Sequence, residues 1–242
     1  MENKLIPIGK TAQKLGVSIN TLRRWDVAGR LSSSRSGPKG HRFYKQIDLD
    51  LFLRNESALA KQWATAQVGM MPMSEVYCPT RDVFQARLEK LQFSLEGIVS
   101  ESAMYLLSAI SGEIGNNSFD HNLGNWPDIT GVYFSYDISN RNIVLADRGQ
   151  GVLETLKRVK PELTSASDAL RVAFTETISG RSPEARGNGL KFVRKVIVEN
   201  PFTLEFQTGD AKIFLKQYDN DIMTFPADKY IGGCIAVIGF EK

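Results

Sequence analysis

GEIGNNSFDHN runs from Gly112 to Asn122, inside a segment of helical periodicity that spans Ser102 to Asn122. At about 100° per residue, Ala103, Leu107, Ile110, Ile114 and Ser118 fall along one stripe. Glu113 and Asn117, four residues apart, share a face at the margin of that stripe. Polar groups this dense are costly on a helix that also packs against a core. Their place beside a buried face is where the wall of a pocket would stand.

Three later segments add glycines in a pattern. GVYFSYDI and NIVLAD read as paired strands, and the second runs into DRGQGV, Asp147 to Val152. ARGNGLKFVRKVI sets Gly187, Gly189 and Leu190 at the start of an amphipathic helix. IGGCIAVIGF is a last strand entered through Gly232 and Gly233. Ahead of them, Arg81 to Gly97 reads as a helix with Val83, Leu88, Leu91 and Leu95 on its apolar side. Neither glycine pair extends to G-x-G-x-x-G between a strand and a helix, which argues against a Rossmann dinucleotide turn. His121 falls back on the apolar stripe and reads as packed or capping, and no Ser/His/Asp set suggests itself.

In this order the four segments resemble the GHKL ATP-binding domain of gyrase, mismatch-repair ATPases, histidine kinases and anti-sigma serine kinases. The resemblance covers Arg81 to the C-terminus. The family's N box, E-x-x-x-N, is matched by Glu113 and Asn117, and its D-x-G-x-G box by Asp147, Gly149 and Gly151. Its G-x-G-L box is matched by Gly187, Gly189 and Leu190. Taken singly, each has an ordinary reading: a surface carboxylate, a helix-end amide, a turn, a loop. The ordered set carries the resemblance.

The resemblance implies ATP and Mg²⁺ as cofactors. Asn117 would be the metal ligand, offering a neutral oxygen to an ion that keeps several waters. Glu113 would be the catalytic residue, orienting or deprotonating the group that attacks the γ-phosphate. Asp147 would accept a hydrogen bond from the adenine amino group. Gly149 and Gly151 would let the backbone pass close to the base. The amides from Gly187 to Leu190 would meet phosphate oxygens at a helix start. TISGRSPEAR, Thr177 to Arg186, would be a lid, with Arg181 and Arg186 as phosphate contacts.

Three departures matter. Many histidine kinases carry Lys three residues after the N-box Asn, where this chain has Asp120. His121 beside it is similar to the anti-sigma kinase branch. The last strand has Gly232-Gly233-Cys234 where a hydroxyl usually follows the glycines. No phosphoacceptor-histidine helix is legible before the domain, which disfavours a self-phosphorylating sensor kinase.

The N-terminal quarter has a different character. Residues 1–63 carry 12 Lys and Arg against 5 Asp and Glu, a balance of +7, and the remainder carries 18 against 22. Basic charge gathered at one end is the footprint of a nucleic-acid-binding module. In IGKTAQKLGVSINTLRRWDVAGRL, Thr11 to Leu15 forms one helix and Gly16-Val17 the turn. Ser18 caps a second helix that ends at Gly29. Leu15, Leu22 and Trp25 can share its buried side. Gly37-Pro38-Lys39-Gly40 is a turn, His41 to Tyr44 a returning strand, and Asp48 to Leu53 a closing helix.

This order resembles the MerR-type winged helix, on Ala12 to Trp25, Gly40 to Tyr44 and Ile47 to Leu53. It implies duplex DNA as partner, with the second helix in the major groove. The expected DNA-contacting residues are Ser18, Asn20, Thr21, Arg23, Arg24, Lys39, His41 and Arg42. A helix-turn-helix can also dock on protein.

The expectation is therefore an α+β chain with three parts. Residues 1–56 form a winged helix-turn-helix, 57–80 a linker, and 81–242 a two-layer α/β sandwich of the GHKL ATPase type with a mixed sheet. The expected function is an ATP-binding, DNA-binding regulator in the bacterial cytoplasm, whose nucleotide state controls dimerisation or partner binding. The alternatives are a serine/threonine kinase of the anti-sigma type acting on a small regulatory protein, and a nucleotide-binding scaffold without turnover. A homodimer is expected and a membrane association is not. Cys78 and Cys234 are expected as reduced thiols.

Overall fold

The computed structural model describes residues 5–15, 17–27, 31–35, 40–46, 49, 56–176 and 189–241. The chain divides into two compact units, Met1–Asn55 and Glu56–Lys242.

The first unit contains β1 (Leu5–Pro7), α1 (Ile8–Leu15), α2 (Ile19–Val27), β2 (Ser34–Arg35) and β3 (Arg42–Lys45). Strand β3 lies between β1 and β2 and pairs antiparallel with both. Ser18 starts α2 by accepting the Thr21 amide at 3.0 Å, which satisfies one of the orphan donors of the first turn. Leu22 is fully buried with Ala12, Leu31, Tyr44 and Leu49, and Leu15 and Trp25 pack around them. Burial of a leucine side chain contributes about 1.5–3 kcal/mol. The Tyr44 hydroxyl donates to the Leu22 carbonyl at 3.3 Å and ties the sheet to α2. The expected helix stop at Gly29, the turn at residues 37–39 and the closing helix from Asp48, save the buried Leu49, lie outside the described residues.

The second unit is built on a sheet of β4 (Tyr77–Cys78), β5 (Val132–Asp137), β6 (Asn142–Asp147), β7 (Phe202–Lys216) and β8 (Thr224–Phe240). Their spatial order is β4-β5-β6-β8-β7. Its helices are α3 (Glu56–Thr65), α4 (Arg81–Leu95), α5 (Glu101–Asn122), α6 (Gly151–Lys157), α7 (Ala166–Thr175) and α8 (Gly189–Glu199). Alternation along the strands sends residues to opposite faces. Val132, Phe134, Ile143 and Leu145 join the main core with α4, α5, α7 and α8. Tyr133, Val144 and Ala146 face the other way, onto Ala60, Trp63 and Ala64 of α3.

The sequence expectation is corrected at four points. Every strand pairing among the described residues is antiparallel, so the sheet is not mixed. Residues 57–80 are not a plain linker: α3 and β4 lie there and belong to the second unit. Since α3 covers part of the second sheet face, the unit is more than two layers. On α4 Leu88, Leu91 and Leu95 are buried as expected, but Phe84 and not Val83 continues their stripe, four residues before Leu88.

Helix α5 is central because small residues let neighbours close on it. A Cβ at Gly112 would stand 3.1 Å from Leu88, and one at Gly115 would enter the Phe84 ring. Gly115→Val would therefore drive α4 and α5 apart, an overpacking cost of about 1–3 kcal/mol.

Candidate functional site

Asp147 closes β6, with 3% of its surface exposed. Ser118 of α5 donates its hydroxyl to one carboxylate oxygen at 2.8 Å, and the Gly149 amide donates to the other at 2.8 Å. The Cys234 amide is a third donor. Burial pushes the Asp147 carboxyl above the usual range, against the pull of these three donors. An ionised carboxylate has about four acceptor positions. Three are filled by the chain.

Glycines let the backbone close tightly around Asp147. Gly151 has φ +76°, and a Cβ there would stand 2.6 Å from the Gly232 carbonyl. A Cβ at Gly233 would collide with Asp147 itself. The loop is clasped by the end of α5. Asn122 accepts the Gln150 amide at 2.8 Å, and the Gln150 side chain donates to the His121 carbonyl at 2.9 Å.

Sequence reasoning missed Thr208. Its hydroxyl accepts the Val152 amide at 3.1 Å and donates to the Gly233 carbonyl at 3.0 Å. It lies at a register shift between β7 and β8, opposite Cys234. Thr208 thus ties β7 to the 149–152 loop and to the entry of β8, a link that a motif confined to one strand does not reveal. Both cysteines are free, and burial pushes the Cys78 thiol up to about 11.

Glu113 and Asn117 are half-buried on α5. A Cβ at Gly189, the first residue of α8, would stand 2.5 Å from a Glu113 carboxylate oxygen and 3.4 Å from the Asn117 amide nitrogen. Leu190 packs on the main core. Asn117 and Ser118 are consecutive, so two groups meet on one stretch of helix: Glu113, Asn117 and Gly189, and Asp147, Gly149 and Gly151. Arg181, Arg186 and Gly187 lie outside the described residues, as does the expected lid. Asp120 forms an ion pair with Arg81 at the start of α4.

In the first unit, Asn20, Arg23 and Arg24 lie exposed on α2, opposite Leu22, and an Arg23 nitrogen donates to Asn20 at 3.3 Å. Thr21 is half-buried against Ser18, and its hydroxyl lies 2.9 Å from that of Ser18. His41 is exposed at the start of the returning strand, and Lys39 lies outside the described residues. Arg42 is differently engaged: its Nε donates to Asp26 at 2.7 Å, and Asp26 also accepts the Ser33 amide at 2.8 Å. Burial raises the Asp26 carboxyl, but the bonds from Arg42 and Ser33 prevail and hold it at about 2. Arg42 thereby braces the sheet against the end of α2.

Residues 7–44 match the MerR family of regulatory proteins. The match falls on the helix-turn-helix of the first unit and supports its DNA-binding role. The chain is also 43% identical over 56 residues to the type II methyltransferase M.Eco47II of Escherichia coli. That match covers 23% of this chain and 13% of the methyltransferase. Among the described residues, no helix is long and apolar enough to cross a membrane.

Proposed function

We propose that the chain is a DNA-binding regulator of the bacterial cytoplasm whose second unit binds ATP with Mg²⁺ in a GHKL-type site. Nucleotide state would control dimerisation or the docking of a small regulatory protein. The observation that carries the reading is the Asp147 carboxylate, fixed by Ser118 and bordered by Gly149, Gly151 and Gly233. An exocyclic amino group of a base suits that acceptor. Glu113 and Asn117 beside the start of α8 suit the phosphate end, with Asn117 as ligand to Mg²⁺ and the helix amides toward phosphate oxygens. Arg186, Gly187 and Leu190 complete the proposed nucleotide set.

A winged helix reads one half-site, so the second unit is the proposed dimeriser. The half-buried Glu113 favours turnover, and with it the second reading, a serine/threonine kinase of the anti-sigma type. The matched segment is too small a part of the methyltransferase to support methyl transfer here.

Calorimetry of ATP with and without Mg²⁺, on wild type and Asp147→Asn, tests the reading. The variant replaces an acceptor by a donor, and the expected loss is about 1–3 kcal/mol. Equal affinity in both proteins removes the site. Product analysis then separates free phosphate, phosphoserine on a partner, and unreacted ATP, the last of which marks a scaffold.

A further inference from the structure

Arg148 stands between Asp147 and Gly149, yet its side chain leaves the site. Its Nε lies 3.0 and 2.9 Å from the two Asp128 oxygens, and one terminal nitrogen reaches Asp128 at 2.5 Å. The other terminal nitrogen donates to the Trp63 carbonyl at 2.6 Å and to that of Ala64 at 3.4 Å. The guanidinium carbon lies 5.9 Å from the centre of the Trp63 ring. Only 9% of the side chain is exposed.

Trp63 and Ala64 lie in the last turn of α3, whose carbonyls lack partners within the helix; that of Trp63 also accepts the Ala66 amide at 3.3 Å. A cation there satisfies those oxygens and complements the negative end of the helix dipole. The start of α3 is fastened too: Glu56 accepts the Tyr133 hydroxyl at 2.9 Å. The Trp63 indole donates to the Met70 carbonyl at 2.7 Å. Asp128 holds its carboxyl low, chiefly through the hydrogen bond from Arg148. The Arg148 guanidinium is buried while Asp128 stays partly exposed, so the pair is a charge-assisted, multidentate contact at the edge of the unit.

Helix α3 begins at Glu56, the residue at which the second unit begins. Among the described residues it is the first element of the second unit. We propose that Arg148 is a positioning residue that couples the 147–151 loop to α3, so that nucleotide occupancy alters the order of the helix that opens the second unit. The inference rests on the ATP-binding reading of the second unit. A ligand seated on Asp147 fixes the backbone of residue 148. The guanidinium, with five donors in a rigid fork, passes that constraint to the α3 carbonyls and to Asp128 together.

The test uses the full-length chain with ATP and Mg²⁺. Calorimetry measures binding, and hydrogen exchange follows the amides of residues 56–65. In wild type, ATP is expected to slow exchange in the last turn of α3 by about fivefold or more, the lower end of usual site-to-site coupling. Arg148→Ala and Asp128→Ala are each expected to bind ATP and to lose that slowing. The double variant is expected to lose no more than either single one, since both remove one linkage. Asp128→Ala leaves the loop sequence intact and carries the test if Arg148→Ala does not fold. Slowing of α3 exchange that persists in either binding-competent variant overturns the coupling. ATP binding by wild type with no change in α3 overturns it while leaving the ATP site standing. Absence of ATP binding in wild type removes both.

Discussion

The Ser118 hydroxyl donates to the Asp147 carboxylate at 2.8 Å and joins α5 to the end of β6 in the interior of the second unit. Ser118→Ala removes one of three donors to a buried charge. The expected cost is about 1.5–3 kcal/mol in chemical denaturation near neutral pH. Asp147 has a raised carboxyl, so its charged form opposes folding as pH rises through its folded value. The Ser118→Ala loss should accordingly shrink in acid, where the carboxyl is protonated. A loss independent of pH would mean the hydroxyl serves packing alone.

Asp26 behaves in the opposite sense. Its carboxyl sits at about 2, below the ordinary aspartate value of 3.8. Its stabilising bonds are complete above pH ~4 and are lost as pH falls toward ~2. Asp26→Asn should be less stable than wild type at pH 7. The difference should close within that acid window, as read by near-ultraviolet circular dichroism.

Glu113→Ala should leave ATP affinity nearly unchanged and abolish phosphoryl transfer, because the group acts on the attacking oxygen. Single-turnover kinetics with labelled ATP separates the two effects. A matched fall in affinity and rate would assign Glu113 to binding.

Gly151→Ala places a side chain at φ +76° and 2.6 Å from the Gly232 carbonyl. Positive φ alone costs about 1 kcal/mol, and the clash adds to it. The loop should shift, lowering both the melting temperature and ATP affinity. Retention of both at wild-type values would show that the loop relaxes freely.

For DNA, Arg23→Ala or Arg24→Ala should cost about 1–3 kcal/mol at one base position in a mobility-shift titration on selected duplexes. Arg42→Ala should differ. Its bond to Asp26 makes it a brace, so stability should fall as well as DNA affinity, with little change in the salt slope. A slope change without destabilisation would return Arg42 to the phosphate-contacting set.

Much of this was legible in sequence because local rules govern it. The Ser18 cap, the paired strands through Asp147 and the extent of α5 follow from capping, alternation and helical periodicity. The position of α3 was not legible. Its buried residues, Ala60, Trp63 and Ala64, are few, and what orders them is a sheet face formed far along the chain. The brace on Arg42 was hidden for the same reason: Asp26 precedes it by sixteen positions and reads as an ordinary surface acid. Ser118 was placed on the buried stripe, but its partner Asp147 appears only once α5 and β6 are packed.

Helix α5 is hemmed in along much of its length, with Leu107, Ile110, Ile114 and Ser118 buried and Gly115 against the Phe84 ring. Such a rod does not bend to suit a guest. From Glu113 to Ser118 it advances about 7.5 Å, at 1.5 Å per residue. Under the proposed reading it acts as a gauge: a molecule long enough to engage both ends is held at two points, and a shorter one at a single point.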